Sequence, residues 1–242
     1  MNLPNAITLG RIAITPLVAI LPFVGAWEWR LAAFVLYIIA AVTDYVDGRL
    51  ARERNEETDL GRLLDPLADK MLLLGTLVPM FLLQGTAGGL SPLTPLLRPA
   101  VDGLVDGPWV RDGGWITTAF PFASPFGPIS LPLWIVVVVL GRELVMTIFR
   151  QIAARRGIII SAIGPAKWKT GFQWVWVGAA FFWFFAATLA AERQWDTLSW
   201  HAFALFNSLV GLTTMIGALV LTLYSLWLYG RKFAGPVWRA GG

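Results

Sequence analysis

The sequence predicts an all-α integral membrane protein of six transmembrane helices with cytoplasmic N- and C-termini. Three observations carry that expectation. Of 242 residues, 57% are hydrophobic and 14% are charged, with a mean hydropathy of +0.65; a soluble chain carries about 25% charged residues. Windows of about 20 apolar residues, the length that crosses a bilayer, recur along the chain. Lys and Arg gather on alternate connections between them, as cytoplasmic loops require.

The windows run approximately over residues 6–26, 30–50, 61–84, 132–153, 166–190 and 203–229. The first reads as a retained helix rather than a signal peptide, because Met1 to Leu9 holds no Lys or Arg and no A-x-A-like site closes it. With the N-terminus inside, Arg49, Arg52, Arg54, Arg62 and Lys70 fall at the cytoplasmic connection between spans 2 and 3. Arg150, Arg155, Arg156, Lys167 and Lys169 fall between spans 4 and 5, and Arg231, Lys232 and Arg239 in the tail. The opposite face keeps Arg30, Arg98, Arg111 and Arg193. Trp27, Trp29, Trp134, Trp195, Trp200 and Trp227 stand near span ends, as an aromatic belt does. Residues 85–131 hold seven of the 15 prolines and eight of the 24 glycines, too broken for a span. They are expected to form an extended non-cytoplasmic loop with apolar stretches at 93–97 and 115–122. Residues 1–242 otherwise read as one membrane domain.

Composition also excludes chemistry. Without cysteine there are no disulfides or thiolate sites, and a lone His201 argues against His-rich metal centres and Ser-His-Asp triads. Nineteen Lys and Arg against 15 Asp and Glu give a net charge of +4. In a membrane chain that balance suits anionic lipid or phosphate, and no nucleic acid is expected as a partner.

Ionisable residues inside spans are costly and mark function. Asp44 and Asp47, three apart, share one face at the end of span 2, and Asp65 and Asp69, four apart, share one face at the start of span 3. The connection between the spans folds them into a hairpin that brings the pairs together. Four converging carboxylates repel unless a cation sits among them, and all-oxygen ligands suit Mg²⁺, Mn²⁺ or Ca²⁺. An EF-hand is excluded by spacing. Singly, each has a plainer reading: Asp65 as the cap of a helix beginning at Pro66, Asp44 and Asp47 as partners of Arg49 or Arg52. A carboxylate-relay transporter is the rival for all four together. Gly48 and Ala51, on the sector of Asp44 and Asp47, leave backbone bare for a flat base or ribose. Arg52 offers a fork to a diphosphate, and Gly61 removes bulk from the facing helix.

Together these positions, Asp44-Tyr45-Val46-Asp47-Gly48-Arg49-Leu50-Ala51-Arg52, eight residues, Gly61, three residues, Asp65, three residues and Asp69, resemble the D-x2-D-G-x2-A-R-x8-G-x3-D-x3-D signature of the CDP-alcohol phosphatidyltransferases. All eight fixed positions are present. The resemblance implies six transmembrane helices, a homodimer and a metal site opening to the cytoplasm of a cell (inner) membrane. It implies two divalent ions on Asp44, Asp47, Asp65 and Asp69, with Mg²⁺ or Mn²⁺ expected over the looser Ca²⁺. Gly48, Ala51 and Arg52, with Gly61 opposite, would hold the cytidine diphosphate of CDP-diacylglycerol, and Asp69 would be the general base.

The signature reads only the CDP-lipid half. Outside it, Asn2 to Arg11, Gly141-Arg142-Glu143, Arg150 and Gly164-Pro165-Ala166-Lys167-Trp168-Lys169-Thr170 are similar to bacterial phosphatidylglycerophosphate synthases. That similarity implies glycerol 3-phosphate as acceptor, giving phosphatidylglycerol phosphate and CMP. Inositol 1-phosphate and phosphatidylglycerol are the alternatives. Arg142, Arg150, Lys167 and Lys169 flank the cytoplasmic ends of spans 4 and 5, where a dianionic acceptor phosphate needs cations; Glu143 is expected to pair with Arg142 or Arg150. Topology signalling accounts equally well for Lys169.

Overall fold

A computed structural model of the protein describes residues 3–54, 59–84, 131–158, 160 and 164–239. These fold as six long helices: α1 (Leu3–Ile20), α2 (Trp27–Arg54), α3 (Asp59–Gln84), α4 (Leu133–Arg155), α5 (Gly164–Glu192) and α6 (Leu198–Arg239), with a 3₁₀ turn at Leu21–Phe23. No strand occurs among the described residues. Apart from Leu131, the expected 85–131 loop lies outside them.

Among the described residues, four helical stretches are long and apolar enough to cross a membrane: Asn5–Phe23, Leu64–Leu83, Trp168–Glu192 and Leu198–Phe233. The chain is therefore a multi-pass membrane protein. α2 and α4 carry ionisable residues along their lengths. The former holds Glu28, Arg30 and Asp44, and the latter Arg142, Glu143 and Arg150. The bundle buries polar and charged groups beside its apolar core and turns large apolar side chains outward. Asn5, Thr8, Arg11, Arg142 and Lys169 are buried, while Val35, Val42, Val137, Leu144, Leu209, Ile216 and Val220 face outward. Lipid is the solvent that makes this arrangement favourable.

Helix ends are set locally. Gly157, at φ +73°, closes α4, with the Ile158 amide donating to the Ala153 carbonyl at 2.9 Å; this left-handed closure is glycine's natural place. α5 ends in the same way through Gln194, at φ 52°, with Trp195 N–H donating to Ala190 O at 2.9 Å. Thr197 then caps α6 by accepting the Trp200 amide at 3.3 Å. The α5–α6 hairpin is consequently tight. Inside it Trp200 is buried and stacked on Trp183, ring centroids 5.5 Å apart. Trp200 thus leaves the expected aromatic belt for the core, whereas Trp29, Trp134, Trp195 and Trp227 remain exposed.

α1 packs on both α2 and α3, α6 packs on α5 and α4, and contact between α2 and α5 joins these halves. At the first contact α3 offers Gly75, where an added Cβ would lie 3.0 Å from Thr15 Cγ2 and 3.5 Å from Ala19 Cβ. The missing side chain lets α1 approach α3. At the second, Tyr37 on α2 donates to the Trp174 carbonyl of α5 at 2.7 Å and stacks on Phe181 at 5.5 Å.

Candidate active site

The first half of the bundle gathers acids. Asp44, seventeen residues into α2 by sequence number, and Asp69 on α3 both accept from one atom of α1, Nη1 of Arg11; the Asp69 contact is 3.0 Å. Thr8, one turn before Arg11, donates to Asp65 at 3.0 Å. Asn5, Thr8 and Arg11 recur at threes on an apolar helix, so one buried polar stripe faces the acids. The Arg11 side chain is wholly buried, Asp44 is 26% exposed and Asp69 60% exposed. Asp69 opens toward space that a ligand can enter, and Arg11 lies beneath it.

Asp65 is not a helix cap. α3 begins at Asp59, placing Asp65 and Pro66 inside the helix, and the carboxylate of Asp65 receives a side chain from another helix instead. Gly61 is buried in α3. Asp47, Gly48, Ala51 and Arg52 lie on the last turns of α2 and Lys167 on the first turn of α5, but their side chains lie outside the described residues. Among the described residues no group of three or more His, Cys, Asp or Glu side chains forms a metal centre. The donor set nevertheless fits a hard divalent ion: two carboxylates on facing helices already converge on a single cation.

The second half gathers cations around an acid. Glu143 of α4 accepts from Arg142 at 2.9 Å and from Lys169 of α5. The single partner expected for Glu143 is therefore two. Arg142 also donates to Ser225 of α6 at 3.1 Å, and Ser225 to the Thr222 carbonyl at 3.0 Å. Lys169 is buried at 5% exposure, which topology signalling at a membrane surface does not require. Arg150 is exposed, with its guanidinium 5.8 Å above the Tyr229 ring. It stands apart from the Glu143 contacts yet lies within electrostatic reach of Lys169.

One cavity of about 120 Å³ joins the halves. Asp44, Asp69 and Lys70 line one side, Glu143, Lys169, Thr170 and Gln173 the other, and Tyr37 and Trp174 contribute aromatic wall. Lys70, expected in the connection between spans 2 and 3, is part of this lining. Sequence reasoning missed Arg11, Thr8 and Asn5 as site residues. The available signal was an arginine inside an apolar window, with polar residues three and six positions before it.

A membrane-embedded helical bundle with paired acids on one wall of a cavity and a buried lysine on the other suits chemistry on a charged lipid. The comparisons with known proteins then give the family. The model for CDP-alcohol phosphatidyltransferase matches residues 1–98 and 102–224, and the chain belongs to that family. It is a phosphatidyltransferase, which sets aside the carboxylate-relay transporter. It is 30% identical over 191 residues to the CDP-diacylglycerol--glycerol-3-phosphate 3-phosphatidyltransferase of Bacillus subtilis (strain 168), covering 74% of this chain and 75% of that one. It is 27% identical over 181 residues to an Arabidopsis thaliana protein of the same name, number 2, covering 72% and 62%. It is 30% identical over 178 residues to the cardiolipin synthase (CMP-forming) of Oryza sativa subsp. japonica, covering 72% and 43%. The chain thus spans less than two thirds of either plant relative.

Proposed function

We propose that this protein transfers the phosphatidyl group of CDP-diacylglycerol to glycerol 3-phosphate, forming phosphatidylglycerol phosphate and CMP in phospholipid biosynthesis. The observation that carries the proposal is the shared cavity, with Asp44 and Asp69 on one wall and Lys169 with Glu143 on the other. The names of the Bacillus and Arabidopsis relatives support the choice of acceptor. In this reading all six helices span a cell (inner) membrane, both termini and the cavity face the cytoplasm, and the protein works as a homodimer.

Each wall has its own work. Asp44, Asp47, Asp65 and Asp69 would hold two divalent ions, Mg²⁺ or Mn²⁺, which when bound supply charge neutralisation to the diphosphate. Gly48 and Ala51, without bulk, leave room for the cytidine; Arg52 pairs with its diphosphate and Gly61 keeps the facing helix clear. Lys169 and Arg142, held by Glu143, present positive charge to the acceptor's phosphate, while Arg150 and Lys167 guard its approach. Burial makes those contacts stronger than in water. Asp69, the more open acid, takes the proton of the acceptor hydroxyl. The hydroxyl oxygen forms a bond to the phosphorus that bears the lipid, the bond from that phosphorus to the CMP oxygen breaks, and CMP leaves with the electron pair.

Purified protein supplied with CDP-diacylglycerol, Mg²⁺ and one acceptor at a time tests the proposal. CMP release with glycerol 3-phosphate is expected. Release with phosphatidylglycerol alone would give the cardiolipin-forming reading, which the Oryza relative favours. Release with inositol 1-phosphate alone would overturn both.

A further inference from the structure

Arg11 lies outside the eight-position signature, on a helix that contributes nothing to it, yet its guanidinium is the group on which Asp44 and Asp69 converge. Its side chain is wholly buried, on a helix whose next turn closes on α3 where Thr15 faces Gly75. A buried cation against two carboxylates neutralises part of their repulsion and fixes their spacing. The oxygens it holds are those that a divalent ion would need.

We infer that Arg11 is a resident counter-ion of the metal site. It holds Asp44 and Asp69 together when no divalent ion is bound and competes with the incoming ion for their oxygens. This rests on the reading of Asp44 and Asp69 as metal ligands. Arg11 is therefore a positioning residue: it trades metal affinity for a site that stays assembled while empty. The metal is then weakly enough held to be governed by arrival of the substrate diphosphate, which brings its own negative charge.

The consequence separates this role from a merely structural one. Loss of a buried structural arginine would weaken every property of the site. Loss of a counter-ion strengthens cation binding while it harms the empty protein, because the acids lose a competitor and a partner together. Mn²⁺ binding to detergent-solubilised protein, measured by electron paramagnetic resonance without any lipid substrate, reads this directly. Arg11→Gln is expected to bind Mn²⁺ about tenfold more tightly than the parent, the order expected from removing one charge within salt-bridge distance, after screening. Its melting temperature without metal should fall, and saturating Mn²⁺ should restore more of it than in the parent. Arg11→Lys, which keeps the charge but lacks the fork, should lie between the two in both measurements.

Weaker or unchanged Mn²⁺ binding in Arg11→Gln, with the parent binding normally, overturns the inference alone. Absence of Mn²⁺ binding by the parent, or parent binding that survives Asp44→Asn combined with Asp69→Asn, overturns the metal reading on which it rests. If Arg11→Gln folds only when expressed and purified with Mn²⁺, the counter-ion role is supported. If it fails to fold with and without Mn²⁺ and Arg11→Lys binds Mn²⁺ as the parent does, Arg11 is structural and the inference is wrong.

Discussion

Lys169→Met is the sharpest test of the cation wall, because the structure gives this residue two separable roles. Its ammonium lines the cavity and also pairs with Glu143, at 5% exposure. Methionine keeps most of the length and the apolar stem of lysine and removes the ammonium. For substrate binding, losing one charge-assisted hydrogen bond to a phosphate costs about 1.5–3 kcal/mol. At about 1.4 kcal/mol per tenfold, KM for glycerol 3-phosphate should rise about tenfold to about 150-fold. KM for CDP-diacylglycerol should change less than about twofold, because the wall proposed for the diphosphate is the opposite one. For stability, breaking a buried ion pair outright costs about 3–5 kcal/mol. Here Glu143 retains Arg142 at 2.9 Å, so the loss should be smaller, about 1–3 kcal/mol. Glu143→Gln in the Lys169→Met background should lower stability further, because it leaves buried Arg142 without its acid. Initial rates of CMP release with each substrate varied, together with melting curves in detergent, make the measurement. Equal rises in both KM values, or a lowered melting temperature with acceptor KM unchanged, would refute the assignment of Lys169 to the acceptor phosphate.

Other expectations follow from the same geometry. Asp69→Asn should abolish turnover while binding of a CDP-lipid, followed by calorimetry, weakens far less, since the amide keeps the shape and cannot act as the proposed base. Arg150→Ala should raise KM for glycerol 3-phosphate more than for CDP-lipid, but less than Lys169→Met does, because Arg150 is exposed and stands over Tyr229. Gly217→Ala should destabilise the α5–α6 contact by about 1–3 kcal/mol, because the new Cβ would lie 2.5 Å from Cδ1 of Phe172; melting curves should show the loss relieved by adding Phe172→Leu. Arg30→Leu should lower the melting temperature and leave both KM values unchanged. It removes donors at 2.8 Å to the Pro22 carbonyl and 2.7 Å to Thr188, far along α2 from Asp44, and each charged hydrogen bond contributes about 1.5–3 kcal/mol.

Much of this was legible in the chain. Helicity and membrane residence followed from runs of apolar residues whose length matches a bilayer, a one-dimensional property that needs no packing. The acids were legible because charge inside such runs is costly, and their spacing of three and four residues put each pair on one helix face. Helix ends were less so. Asp65-Pro66 has the form of a helix start, but α3 begins six residues earlier at Asp59, since tertiary packing overrides a local cap preference. Trp200 carried the composition of a membrane anchor and became a stacking partner of Trp183 because Thr197 and Gln194 fold α6 tightly back on α5.

By itself the sequence determined the solvent, the class of helix, the acidic signature and the family to which the chain belongs, because these depend on residue type and short spacing. Only the tertiary structure decided which side chains share a charge. Arg11 lies 33 residues from Asp44 and 58 from Asp69, and Lys169 lies 26 from Glu143. No helical period links positions so far apart. Their meeting depends on the packing of α1 against both α2 and α3, with its close approach at Gly75, and on the packing of α4 and α5 against α6. In a low-dielectric interior, that proximity is what turns isolated charges into a site.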